Sequence, residues 1–167
     1  DGCNTELHDV VFTCGQKIQD TYIDLLDKWF GNADRLHIDS WVEINYVDGY
    51  KVSLLSKKNI SKNKLFFINL GGYDENKFEE LHESEFLVGD KKIEIKKRAK
   101  ETLMKGLDQV HTDDLYDVDD CIEINKVSDY FINLKKEKNK SESLKFNNGY
   151  HPIPKKIIEK YKSLINN

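Results

Sequence analysis

The chain has 167 residues, 38% of them hydrophobic and 34% charged, with a formal net charge of -4 and a pI near 5.8. That is the size of one ordinary domain, or of two small halves sharing a core. The acidic balance leaves no electrostatic footprint for nucleic acid or an anionic membrane surface. No apolar run approaches the ~18–20 residues of a membrane span, and no signal-peptide pattern opens the chain. Cys3, Cys14 and Cys121 are an odd number without CxxC spacing, which reads as reduced thiols in a cytoplasmic protein.

The first residue is Asp1, and residues 6–15 alternate as a strand does. Glu6, His8, Val10, Phe12 and Cys14 share one face, and Leu7, Asp9, Val11 and Thr13 the other. Gly15 ends the strand, at a position expected to need a left-handed turn. A helix follows, with Ile18, Tyr22, Leu25, Leu26 and Trp29 as its apolar stripe and Gly31-Asn32 as its stop. His37-x-Asp39 then leads into two strands, Trp41 to Val47 and Tyr50 to Leu55, joined at Asp48-Gly49, a hairpin signal. A polar connection, Ser56 to Lys64, precedes an apolar strand at 65–70 that ends in a Gly71-Gly72-Tyr73 turn.

From there the chain repeats itself. With a constant offset of 74, residues 6–39 match 80–113 at 9 of 34 positions: Glu6, Leu7, His8, Phe12, Gly15, Lys17, Asp34, His37 and Asp39. Unrelated stretches would give roughly 2 matches, so this is an internal duplication. The second copy places His82, Ser84, Phe86 and Val88 on one strand face. Because the repeated phenylalanine shares the histidine's face, that face is expected to meet the core. The second helix runs from about Lys91 to Lys105, with Ile95, Ala99, Thr102 and Leu103 inward and a solvated basic face of Lys96, Lys97, Arg98 and Lys100. The match resumes at an offset of 80 after an acidic insertion at 114–120, giving strands at 121–127 and 130–134. Lys135 to Gly149 reads as a polar linker. Gly149-Tyr150-His151-Pro152-Ile153-Pro154 is a turning stretch before a last helix, whose stripe is Ile157, Ile158, Tyr161, Leu164 and Ile165.

The expected fold is therefore α+β. Two β-β-α-β-β repeats, about 1–55 and 65–134, form a single domain with pseudo-twofold symmetry, followed by a linker and a C-terminal helix segment at 150–167. The counterpart of the 65–70 strand falls before Asp1, so an upstream strand in a longer natural chain is expected.

Four of the five histidines belong to the repeated pairs. Glu6-x-His8 and Glu80-x-His82 each put a carboxylate and an imidazole on one face of an extended strand, and His37-x-Asp39 and His111-x-Asp113 do the same. If they converge, each copy presents two imidazoles and two carboxylates. One candidate role is a divalent metal site for zinc, iron or manganese, drawn from His8, His37, Asp39, His82, His111 and Asp113. Another is acid/base chemistry by Glu80, His82, His111 and Asp113. The competing reading is structural: a histidine at a core edge, hydrogen-bonded to Asp or Glu, pins a turn. His8 would then meet Asp39, and His82 would meet Asp113. Gly71-Gly72 lacks the spacing of a phosphate loop or dinucleotide fingerprint, so no organic cofactor is implied.

Taken together, Glu-Leu-His-Asp-Val-Val-Phe (6–12), Leu-His-Ile-Asp-Ser-Trp (36–41), Phe-Phe-Ile-Asn-Leu-Gly-Gly-Tyr (66–73) and His-Thr-Asp-Asp-Leu-Tyr (111–116) resemble domain-of-unknown-function family 1543. That family's domain occurs as one or two copies per chain. The resemblance implies no activity and carries over no catalytic residue. Two function classes stay open: an interaction or small-ligand-binding protein, alone or as a homo-oligomer, with structural His/Asp/Glu sets, or a metal- or acid/base-dependent enzyme.

Overall fold

A computed structural model describes residues 3–103, 120–137 and 143–165. The fold is α+β, with an internal duplication and a C-terminal helix. The chain packs as two compact units, residues 44–143 and residues 1–43 with 144–167, whose boundaries cut across the repeats. No helix among the described residues is long and apolar enough to cross a membrane.

The larger unit is built around β4 (Lys64–Gly72), flanked by β5 (Leu81–Gly89) and β6 (Asp120–Ile124), both antiparallel to it. β4 is apolar on both faces because both are covered. On one face Phe66, Ile68 and Leu70 join Leu87 and Cys121 against Ile95 and Ala99 of α2 (Lys92–Thr102). On the other, Leu65, Phe67, Val88 and Ile124 are buried, and the Phe67 and Phe86 rings lie 5.3 Å apart. That second face packs on a four-stranded sheet of β2 (Tyr46–Val47), β3 (Tyr50–Leu55), β8 (Tyr130–Lys136) and β7 (Lys126–Val127).

The duplication is visible in this second sheet. Asp48 and Gly49 turn the first hairpin with φ of 53° and 75°, both left-handed, as a two-residue hairpin turn requires. Val52 N–H donates to Asn45 O at 2.8 Å, and Ile132 N–H donates to Asn125 O at 3.0 Å, the same bond once per copy. In the β3–β8 ladder Ser53 stands opposite Asn133, its own counterpart at the offset of 80. The pseudo-twofold axis therefore passes through that pair, which is joined by a 3.0 Å bond from Asn133 Nδ2 to Ser53 Oγ.

Several expectations are corrected here. The histidine face of β5 meets the core between the sheets at Phe86 and Val88 but leaves His82 and Ser84 exposed, while Leu81 and Leu87 meet the helix-side core. Gly71 and Gly72 continue β4 rather than turning; the turn comes later, where Asp74 O accepts from Lys77 N. Thr102 is exposed, its hydroxyl bonded back to Arg98 O and Ala99 O. Arg98 is no mere solvated charge, since it donates to Val88 O and to the Asp48 carboxylate, both at 2.9 Å.

Gly15 and Gly89 need no left-handed backbone, because neither has a positive φ. They make room instead. A Cβ at Gly89 would lie 2.7 Å from Ile95 Cδ1, and one at Gly15 would lie 3.2 Å from Thr21 Cγ2. Thr21 and Ile95 are the same repeat position, and both are buried. Gly106, His111, Asp113 and the insertion at 114–119 lie outside the described residues.

Lys64 bridges β4 to β6 by donating to Glu123 at 2.7–2.8 Å. Burial pushes the Glu123 carboxyl up, but the hydrogen bonds from Lys64 and Asn125 outweigh it and hold the carboxyl below its ordinary 4.5. A depressed carboxylate stabilises fully above 4.5 and loses that contribution as pH falls through the lower folded value. Glu123→Gln should therefore cost less than about 1 kcal/mol at neutral pH. In pH-dependent urea melts its deficit should vanish towards acid.

The smaller unit holds a 3-10 turn at Ile18–Thr21, α1 (Tyr22–Lys28), β1 (His37–Val42), β9 (Phe146–Pro152) and α3 (Lys155–Ile165). Leu26, Ile153 and Ile158 form its core, with Tyr22, Leu25, Ile157 and Tyr161 around them, so α3 docks on α1. Leu164 and Ile165 of the expected stripe are 59% exposed. The Lys162 amino group donates to Asp34 at 2.6 Å.

The expected strand at 6–15 forms no ladder, unlike its counterpart β5. Phe12 is half-buried, as is Phe86. β5 takes its bonds from β4. β1 pairs instead with β9, which forms where the linker was expected to end. Asn148 stands opposite Ser40 just as Asn69 stands opposite Asp120, the equivalent position. β9 thus does for β1 what β4 does for β6.

Candidate functional site

The first copy's repeated residues gather at the start of β1. Asn32 Oδ1 accepts from Asp34 N at 2.9 Å, Arg35 takes a left-handed φ of 67°, and the chain enters β1 at His37. The register between β1 and β9 shifts between Ile38 and Ser40, so Asp39 faces two residues, Gly149 and Tyr150. Gly149, at φ 140°, supplies the backbone this bulge requires. The bulge re-aims β9 so that the Tyr150 ring meets the His37 ring, 4.4 Å between centroids.

His37 Nε2 lies 3.1 Å from Asp39 Oδ1 and 3.3 Å from Glu6 Oε1, while its Nδ1 lies 3.4 Å from Arg35 O. His8 Nε2 is 3.4 Å from Asp39 Oδ2. Asp39 thus stands between the two imidazoles, one oxygen to each. The His37 side chain is only 13% exposed, against 65% for His8, 60% for Glu6 and 54% for Asp39. The four predicted residues are brought together, but as one inner ring with three outer, solvated groups.

Such a ring of contacts can move a proton or fix a segment. Among the described residues no group of three or more His, Cys, Asp or Glu side chains is arranged to hold a metal ion. In the second copy His82 Nε2 is 3.7 Å from Glu80 Oε2, both partly exposed on the end of β5 beside Gly71 and Gly72. Their expected partners His111 and Asp113 lie outside the described residues.

Sequence reasoning missed Arg35, Tyr150 and the fifth histidine. His151, opposite Ile38, has its Nε2 buried without a hydrogen-bond partner among the described residues. A signal for β9 existed in the Phe-x-Asn of 67–69 and 146–148.

The chain is similar to the crystal structure of a protein Il1583 from Idiomarina loihiensis. The TM-score is 0.69 at 26% identity, over 92% of this chain and 90% of that one. No curated protein matches. The model of the family described as Domain of Unknown Function (DUF1543) matches residues 3–54 and again 77–134, the two copies read from the repeat. The chain therefore belongs to the DUF1543 family, as a tandem of two copies.

Proposed function

We propose that this is a pseudo-symmetric interaction or small-ligand-binding protein, in which the Glu6, His8, His37 and Asp39 set fastens the chain rather than reacting. The observation that carries this reading is the setting of His37. Its ring is nearly buried against Tyr150, and each nitrogen faces an acceptor within the protein. A base or a ligand needs a nitrogen turned to substrate or metal. Glu6 and His8 close a segment that has no ladder of its own onto β1. The cysteine usage supports a cytoplasmic setting.

One observation favours a second reading, a metal- or acid/base-dependent enzyme using this set or Glu80, His82, His111 and Asp113. His8 and Asp39 are in contact at a solvent-accessible surface, in a pattern the chain carries twice.

Elemental analysis and melting of His8→Ala, His37→Ala and His82→Ala separate the two readings. His37→Ala should cost about 1–3 kcal/mol, because it removes a nearly buried ring packed against Tyr150. His8→Ala should cost less than about 1 kcal/mol. None of the proteins should carry stoichiometric zinc, iron or manganese. Metal in the parent that is lost from one variant with its melting temperature kept would sink the structural reading.

A further inference from the structure

We propose that a cleft in the smaller unit, beside Tyr150, binds a small organic anion: one carboxylate or phosphate on a compact apolar body, with Arg35 as the anion-binding residue. The inference deepens, and rests on, the ligand-binding reading above. The cleft holds about 590 Å³, within the range of small-molecule sites. Pro152, Ile153 and Ile158 form its apolar part, the last two almost wholly buried, and Tyr150 and Arg35 also line it.

The charges decide the ligand class. Five charged side chains border the cleft, and four of them form two ion pairs. Lys162 holds Asp34 at 2.6 Å, and Lys155 lies 3.7 Å from Glu159. The hydrogen bond and charge of Lys162 keep the Asp34 carboxyl below its ordinary range, so that pair stays ionised. Arg35 is the fifth: its guanidinium makes no hydrogen bond or ion pair among the described residues, and its charge only adds, as the least of the causes, to the field that lowers Asp34. A guanidinium fork matches carboxylate and phosphate oxygens two at a time.

The backbone at Arg35 points the same way. Its φ of 67° is one that glycine or asparagine adopts with less strain. A long cation at that turn has its explanation if the side chain is used. The apolar lining and the aromatic ring account for the ligand's body, and the unpaired positive charge accounts for its head.

The test is a titration of the full chain, followed by amide NMR, with benzoate, phenyl phosphate and neutral benzyl alcohol as probes. Saturable shifts at Arg35, Tyr150, Ile153 and Ile158 are expected for at least one anion at millimolar concentration; comparing the two anions tells carboxylate from phosphate. Benzyl alcohol should bind about tenfold more weakly or worse. Arg35→Gly should keep or raise the melting temperature, because glycine suits the turn, and lose about tenfold in anion affinity. No saturable shift with any probe would overturn the proposal, as would undiminished benzoate binding by Arg35→Gly. If benzyl alcohol matched benzoate, the anion class would fall while the cleft remained a ligand site. The fastening role of His37 is read separately, from the melts and metal content above.

Discussion

Phe66→Ala should lower the stability of the larger unit by about 3–5 kcal/mol, the cost of deleting a large ring from a core that cannot close around the gap. Phe66 is fully buried in the middle of β4, opposite Leu87 on one side and Glu123 on the other. Ile68 is held by ladders on both edges of β4, Leu70 and Leu87 by the β4–β5 ladder, and Ile95 and Ala99 by the helix, so none can slide into the space. The measurement is urea unfolding followed by far-ultraviolet circular dichroism. The midpoint should fall with little change in slope, since the surface exposed on unfolding is almost the same. Phe66→Leu, which keeps most of the volume, should cost much less. Similar losses from both variants would mean that the site relaxes and the packing is loose.

Gly89→Ala should cost about 1–3 kcal/mol by the opposite fault, overpacking. The added methyl would sit 2.7 Å from Ile95 Cδ1 and 3.2 Å from its Cγ1. Ile95 is 1% exposed and has nowhere to turn. Because the clash is with the tip of one side chain, Ile95→Val should recover part of the loss, and the double variant should be more stable than the sum of the single effects. Strictly additive costs would show that the glycine serves something other than room for Ile95. Alanine at Gly49, where nothing lies within 4 Å, tests the other role of glycine, since there only the φ of 75° resists.

What the sequence made legible was what neighbouring residues decide. Asp48-Gly49 announced its hairpin, and the stripes of α2 and α3 announced their helices, because turn chemistry and the 3.6-residue period act locally. The face of β5 that carries the histidine meets a core only at its Phe86 and Val88 end, and because Phe86, Leu87 and Val88 are apolar in succession both faces are covered there, which alternation alone does not show. Gly71 and Gly72 look like a turn, yet their pairing with His82 and Leu81 of β5 keeps them extended. β9 contains Asn147, Asn148, Gly149 and Pro152, a poor composition for a strand, and exists through its pairing with β1. The meeting of His8 with Asp39 could be anticipated from the repeat. Tyr150 could not, because only the long-range pairing of β9 with β1 brings it beside His37.

The twofold axis through Ser53 and Asn133 relates contacts on its two sides and leaves the central one as its own image. Val52 with Leu134 and Leu54 with Ile132 are images of each other, so damage to one leaves its mirror partner intact a few ångströms away. Only the central pair is its own image. In a symmetric assembly of identical chains that position would have to meet itself, one residue type serving as both donor and acceptor. Joined in one polypeptide, the two halves are released from that demand, and here they have divided the labour: the amide of Asn133 gives the hydrogen, and the hydroxyl oxygen of Ser53 receives it.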